Sequence, residues 1–223
     1  MKDLIIVGAG GQGRETVQLV RDINRNTSEW NLLGFLDDRE ELLDKQVMGF
    51  PVLGDLNKLA DSPYNQAYFI CAVGDSLVRL EIVGRMKEIQ PACAFATLIH
   101  PTAVIGDRIH IGEGTVICAQ CVVTTNIRIG DHVLVNYCSS IGHDSALEEG
   151  VTLLPGSRIS GGAILGQSCS IGSGAVVLPG IDIGHGAIIG AGAVVNRSIP
   201  SWSTAVGVPA KVIKSHNKNW QVL

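Results

Sequence analysis

Aromatic side chains are nearly missing from this sequence, at 4% of 223 residues. A chain of this length still has room for one or two domains and a sizeable core, which aliphatic residues must then fill. Charge imbalance is small as well. A net charge of −4 gives no electrostatic reason to expect DNA, RNA or an anionic membrane as partner. Long apolar runs are absent: stretches such as Leu4–Val7 span only a few residues, so neither a signal peptide nor a membrane span is expected. The six cysteines (Cys71, Cys93, Cys118, Cys121, Cys138 and Cys169) are dispersed. Cys118 and Cys121 have the C-x-x-C spacing of a redox pair or half a zinc site, but no second Cys or His pair follows at ligand spacing. No metal is expected. Free thiols without an export signal point to the cytoplasm.

What the sequence does have is a count of six. Stepping six residues at a time from Ile105 to Val195 meets sixteen positions, every one Ile, Leu or Val. The next residue is Gly at eight of them, and two residues before the aliphatic stands Ala, Ser, Thr or Cys at eleven. Cys121 and Cys169 occupy this small-residue slot. A period of six fits neither the 3.6 of a helix nor the 2 of a lone strand. It fits a parallel β-helix, in which three short strands make one triangular coil and each aliphatic stacks on its copies. Sixteen hexads make about five coils of eighteen residues. Gly after the aliphatic is expected to relax the corner.

Residues 1–97 read differently. Lys2–Val7 is a buried strand, followed by Gly8-Ala9-Gly10-Gly11-Gln12-Gly13 and a helix to about Asn26 with Val17, Val20 and Ile23 on one stripe. Strand, G-x-G-x-x-G and helix together bring backbone amides to a phosphate. A second strand, Asn31–Leu36, ends in Asp37-Asp38, where a carboxylate can hydrogen-bond a ribose or base. Gln66–Val73 is another strand ending in Gly74-Asp75, and a helix from about Ser76 to Gln90 carries Leu77, Leu80, Val83, Met86 and Ile89. The unit is about half of a complete doubly wound dinucleotide fold, and no hydride-transfer domain follows it. One nucleotide, or a nucleotide-linked ligand, is therefore favoured over a dinucleotide.

Irregularities in the hexads carry the chemistry. At Asn136 the residue after the aliphatic is not Gly, and His143-Asp144 sets an imidazole beside a carboxylate just past a corner. Leu153-Leu154-Pro155-Gly156 and Val177-Leu178-Pro179-Gly180 read as edge turns, and Pro200 and Trp202 as a seal on the stack. His100, His110, His132 and His185 fall at corners facing solvent or a neighbouring subunit, and His216 in a polar tail. A corner histidine is ordinarily a solvated loop residue. His143 differs through Asp144, since an imidazole oriented by a carboxylate is equipped as a general base near pH 7.

In order along the chain come Gly8–Glu15, Gly34-Phe35-Leu36-Asp37-Asp38, Ala72-Val73-Gly74-Asp75, Leu98-Ile99-His100-Pro101, Ser140-Ile141-Gly142-His143-Asp144 and Gly207-Val208-Pro209-Ala210-Lys211. Together they resemble the bacterial sugar acyltransferases of the sialic-acid O-acetyltransferase type, which include the UDP-4-amino-sugar and perosamine N-acetyltransferases. The resemblance implies an α/β nucleotide-binding unit (1–97), a left-handed β-helix (98–209) and a C-terminal tail (210–223). It implies a homotrimer with acetyl-CoA in the groove between neighbouring prisms. Gly10, Gly11, Gln12 and Gly13 would contact phosphate, and Asp37 and Asp38 would lie near the nucleoside, with Gly74 and Asp75 bordering the same pocket. His143 would be the catalytic base and Asp144 would fix its tautomer. Asn136 would hydrogen-bond the substrate or the His, while Thr152, Gly161 and Ala191 would line the cofactor groove, a Gly161 amide serving the oxyanion. The chain departs from the family's pattern at Asp144, where Glu occurs, at Thr152, where a second His occurs, and at Asp75, often Asn. The expected reaction is acetyl transfer from acetyl-CoA to the amino group of a nucleotide-activated sugar, with O-acetylation of sialic acid or another sugar hydroxyl as the alternative.

Overall fold

A computed structural model describes residues 1–61 and 64–217; the last part of the expected tail, 218–223, lies outside them. The N-terminal unit is built from β1 (Lys2–Val7), α1 (Gly11–Thr27), β2 (Trp30–Leu36), β3 (Gln46–Val47), β4 (Phe50–Gly54), β5 (Tyr68–Cys71), α2 (Ser76–Ile89) and β6 (Ala94–Phe95). Its sheet runs β3-β4-β2-β1-β5-β6, parallel except for the β3–β4 hairpin. The order reverses between β1 and β5, so a crevice opens beyond their carboxyl ends, where open α/β sheets take ligands. Gly13 brings α1 onto β1: a Cβ there would run into the Gly8 carbonyl.

From Leu98 the chain winds a three-sided prism. Strands such as Val116–Ile117 stack into a first face, Val122–Val123 into a second and Ile127–Ile129 into a third, each pairing in parallel with the strand eighteen residues on. The hexad aliphatics from Ile117 to Val195 point inward and are at most 2% exposed, with Cys121 and Cys169 fully buried beside them. Burying one such side chain is worth about 1.5–3 kcal/mol, and here the slot repeats with little variation. The corners work differently from the expectation. The glycine after the aliphatic serves close approach between coils: a Cβ on Gly142 would lie 2.6 Å from the Gly161 amide nitrogen. The left-handed residue comes two positions later, occupied by Gly156 (φ 71°) and Gly180 (φ 67°) in the two Pro-Gly turns and by Asn126, His132 and Asp144 elsewhere.

The end of the chain is also a correction. Lys211–Ser215 pairs antiparallel with Ser203–Val206 on the first face, and the His216 amide donates to the Trp202 carbonyl, so this segment is a closing hairpin and not a loose tail.

The N-terminal unit packs on the outer side of the first face, where Leu98, Val116 and Leu134 join the core of β1 and α1. The stripe that α2 buries is Ser76, Arg79, Val83 and Met86 rather than its leucines. Ser76 Oγ donates to the Ser168 carbonyl at 2.8 Å, and Arg79, 2% exposed, reaches across to the prism. His132, expected at a solvated corner, is fully buried under the same joint. Its ring stands edge-on to Phe95 at 4.7 Å, and neither ring nitrogen has a hydrogen-bond partner among the described residues.

Burial, then the Lys87 and Arg79 charges, pushes the His132 pKa down to about 4 from an ordinary 6.5, against the opposing pull of Asp131. Between these values the unfolded chain binds the proton and the folded chain does not. Stability is therefore complete above pH 6.5 and is lost as pH falls toward 4, by on the order of 3 kcal/mol. Thermal melting of His132→Asn, which keeps a residue tolerant of left-handed backbone, is expected to show a shallower Tm slope than the parent between pH 6.5 and 4. Parallel slopes would remove His132 as the cause.

Candidate active site and nucleotide cleft

Eighteen residues per coil put like positions in columns, and the column arithmetic assembles the His143 site. Asp144 takes the left-handed corner position at φ 61°, which carboxylate and amide side chains tolerate. There it meets the His143 Nδ1 at 2.7 Å. Asn126, one coil earlier, donates its side-chain amide to the other carboxylate oxygen at 2.5 Å. Hydrogen bonds from Asn126 first and His143 second hold the Asp144 carboxyl below its ordinary pKa. The network assigns the Nδ1 proton to the hydrogen bond with Asp144 and leaves Nε2 as the basic nitrogen. Gly161, one coil later, gives the ring its room: a Cβ there would stand 2.6 Å from both Nε2 and Cε1. The Gly161 N–H makes no hydrogen bond among the described residues. Both members of the pair are open to solvent, His143 66% and Asp144 55% exposed in their side chains.

Gly161→Ala follows as a test. The backbone there is not left-handed, so the methyl acts mainly by displacing the imidazole. A displacement of this order costs on the order of 10²-fold in rate. Turnover is expected to fall by that factor with the melting temperature nearly unchanged. Unaltered turnover would show that the ring's position over Gly161 is immaterial.

Asn136 is at a different corner, between the first and second faces, one full prism side from His143. It is 6% exposed, and its Oδ1 accepts the Tyr137 amide at 2.9 Å. The expected bond to His143 within one chain is not made. Ala191 is exposed in the Tyr137 column of that same corner. Thr152 corrects the expectation outright: it is 1% exposed under the N-terminal unit, accepting from Arg79 at 2.9 Å and donating to the Gly74 carbonyl at 3.3 Å. It lines no groove.

The glycine loop is open where it needs to be, with nothing within 4 Å of a Cβ on Gly10 or Gly11. Asp37 is committed to the loop itself, accepting the Ala9 amide at 2.7 Å and two Arg39 guanidinium bonds at 2.8 Å. Burial raises its pKa, but the Arg39 and Ala9 hydrogen bonds outweigh that and hold it below the ordinary value. Asp38 is half exposed and faces a cleft of about 180 Å³ between Gly8, Leu36, Leu56, Val73 and Ile82. A wider hollow of about 490 Å³ continues from Asp37 and Asp38 to Lys58. Asp75 instead caps α2, accepting the Leu77 and Val78 amides at 3.0 Å, and the Gly74 carbonyl is taken by Arg79 and Thr152. Val73 borders the cleft in their place.

Sequence reasoning missed Arg79 altogether. Its Nε donates to His132 O at 2.9 Å, Nη1 to Val73 O at 2.7 Å and Gly74 O at 3.2 Å, and Nη2 to Gly150 O at 2.8 Å and Thr152 Oγ1 at 2.9 Å. Burial pulls its pKa down to about 10, so it stays charged at neutral pH. The one available signal was an arginine on the inward stripe of a helix.

Residues 3–86 match the PglD N-terminal domain and residues 162–197 the bacterial transferase hexapeptide model of six repeats. A GDP-perosamine N-acetyltransferase of Escherichia coli is 35% identical over 163 residues, 72% of this chain and 71% of that one. A UDP-N-acetylbacillosamine N-acetyltransferase of Bacillus subtilis is 35% identical over 123 residues, 53% of this chain and 52% of that one. The crystal structure of PerB from Caulobacter crescentus, in complex with CoA and GDP-perosamine, superposes with a TM-score of 0.86 at 28% identity, covering 96% of this chain and 98% of that one. The acetyltransferase domain of PglB from Neisseria gonorrhoeae, in complex with acetyl coenzyme A, gives 0.86 at 32%, covering 95% and 99%. With its Rossmann-like unit, its left-handed prism of hexads and these relatives, the chain belongs to the hexapeptide-repeat sugar acetyltransferases that carry a PglD-type N-terminal domain.

Proposed function

We propose that the chain transfers acetyl from acetyl-CoA to the amino group of a nucleotide-linked amino sugar. The observation that carries this reading is the His143–Asp144 contact at 2.7 Å, which leaves Nε2 basic beside an uncommitted Gly161 N–H. The sugar amine attacks the thioester carbonyl, Nε2 takes the amine proton, and the Gly161 amide faces the charge that develops on the carbonyl oxygen. Collapse expels the CoA thiolate, which receives the proton from the imidazolium. The relatives' named activities, and the CoA and GDP-perosamine bound in PerB, support the substrate pair.

The site is completed by three chains packed side by side. Supporting this, His143 stands solvent-exposed at the corner between second and third faces, while the nucleotide cleft belongs to a unit docked on the first face. Among the described residues no hydrogen bond joins that unit to the His143 corner. The Asn136 and Ala191 corner of one prism, set against the His143 and Gly161 corner of the next, encloses a groove for the acyl donor. Substrates of this kind favour a cytoplasmic reaction. No helix among the described residues is long and apolar enough to cross a membrane.

The test is CoA release with acetyl-CoA and a panel of GDP- and UDP-linked amino sugars alongside free sialic acid. Turnover with a nucleotide-linked amine is the expected result. Release with sialic acid alone would move the assignment to O-acetylation.

A further inference from the structure

Left-handed corner residues are ordinarily explained by their backbone. Along the corner between second and third faces, the column Arg108, Asn126, Asp144, Gly162 and Gly180 has φ between 56° and 71°. Glycine takes this conformation most readily, and asparagine and aspartate tolerate it. Conformation alone therefore accounts for an asparagine at 126, but not for where its side chain points.

That side chain donates to Asp144 Oδ1 at 2.5 Å and leaves Oδ2 to the His143 Nδ1 at 2.7 Å. One carboxylate is thus held from two sides, by its neighbour in sequence and by the coil before. Main-chain bonds fix the alignment. The Asn126 amide donates to the Asp107 carbonyl at 3.1 Å, the Asp144 amide to the Thr125 carbonyl at 3.2 Å and the Gly162 amide to the His143 carbonyl at 2.8 Å. Coils about 4.8 Å apart then bring the two side chains together.

The need for a second hold follows from exposure. Asp144 is 55% exposed in its side chain, so with His143 as its one partner it would exchange that bond for water. Each departure frees the imidazole to turn and to carry its proton on Nε2, and in that tautomer no basic nitrogen stands over Gly161. Only a donor serves at 126: an aspartate there, of the same shape, would set acceptor against acceptor. Asn126 is also the largest of the influences that hold the Asp144 carboxyl below its ordinary pKa, ahead of His143.

We infer that Asn126 is a positioning residue of the transfer reaction, holding the Asp144 carboxylate on Nδ1 so that Nε2 stays the basic nitrogen. This role rests on the proposed reading of His143 as the base, and Asn126 acts through Asp144 without touching a substrate.

The test follows CoA release from acetyl-CoA with GDP-perosamine and with a UDP-linked 4-amino sugar. Asn126→Gly keeps the left-handed backbone and removes the donor. It is expected to lower kcat about tenfold through the lost hydrogen bond to a charged group. KM for both substrates should stay within about twofold, and the melting temperature near that of the parent. Asn126→Asp should lose at least as much. Asp144→Gly also keeps the backbone and should lower kcat at least as far. In that background Asn126→Gly should cost less than about twofold more, because its route to the ring is already gone. Parental kcat in either Asn126 variant or in Asp144→Gly, or losses that multiply in the double variant, would each overturn the role. His143→Ala separates it from the reading beneath. If His143→Ala is slow while Asn126→Gly turns over normally, the positioning role alone falls. If His143→Ala keeps parental turnover, or the parent acetylates neither amine, the base reading falls and the role with it.

Discussion

His143→Ala is expected to lower kcat by about 10²–10⁴, the range that positioned proton transfer supplies, while the melting temperature and the affinity for nucleotide stay near those of the parent. The physical grounds for this separation are local. The imidazole is 66% exposed and is absent from the packed interior, so its removal opens no cavity. Among the described residues its one side-chain hydrogen bond is to Asp144, which keeps the Asn126 amide as a partner. The base is needed because an amine must lose a proton as it bonds to carbon. With Nε2 gone, water must take that proton without being positioned for it. His143→Asn is the sharper comparison, because its amide can still donate to Asp144 yet offers no basic nitrogen. Steady-state kinetics on both variants, with a pH profile of kcat, decide the matter. Parental turnover in His143→Ala would remove the imidazole from proton transfer and leave orientation and the Gly161 amide to account for the rate.

How much of this was written in the sequence depends on what each residue bonds to. The prism was legible because its core is one slot repeated, and a run of aliphatics from Ile105 to Val195 has no other economical reading. The His143–Asp144 pair was legible as two adjacent residues, and the coil length of eighteen also foretells its neighbours: Asn126 lies one coil before Asp144, and Gly161 one coil after His143. Asn136 was placed by proximity in sequence, seven residues from His143, and the fold turned that proximity into separate corners. Thr152 and His132 could not be placed from the repeat. Both occupy ordinary hexad positions, and their burial comes from α2, Phe95 and Arg79 closing over the first face. Of the two carboxylates read at the end of the second strand, both line the cleft, but Asp37 is tied to the Ala9 amide and to Arg39, which a sequence cannot show, while Asp38 is half exposed.

Arg79 left little trace in the sequence because its partners are main-chain carbonyls, and its loss is expected to be the most damaging to the fold. Arg79→Ala should destabilise the chain by about 3–5 kcal/mol, the upper range for single substitutions. All five guanidinium donors are used: Nε and Nη2 cross the joint to His132, Gly150 and Thr152, while Nη1 ties down Val73 and Gly74 in the N-terminal unit. Truncation leaves their buried acceptors to be hydrated or left unmet, at about 1–3 kcal/mol for each that stays dry. Lysine is not a substitute, because three donors on one point cannot reach carbonyls of Val73, His132 and Gly150 that lie on separate segments. Arg79→Lys is therefore expected to recover less than half of the loss. No carboxylate hydrogen-bonds the Arg79 guanidinium, so its charge is held by oriented carbonyls and the Thr152 hydroxyl in a low-dielectric site, and added salt should weaken these bonds little. Two features distinguish this from ordinary core damage. Denaturant unfolding followed by tryptophan fluorescence in a Trp220→Phe background, which leaves Trp30 in the N-terminal unit and Trp202 at the end of the prism, should split from one transition into two as the units uncouple. Nucleotide affinity should fall as well, because the Val73 whose carbonyl Arg79 grips also lines the cleft. A single transition at the parental midpoint, with parental nucleotide affinity, would mean that the apolar contacts of Leu98, Val116 and Leu134 suffice to hold the two units together.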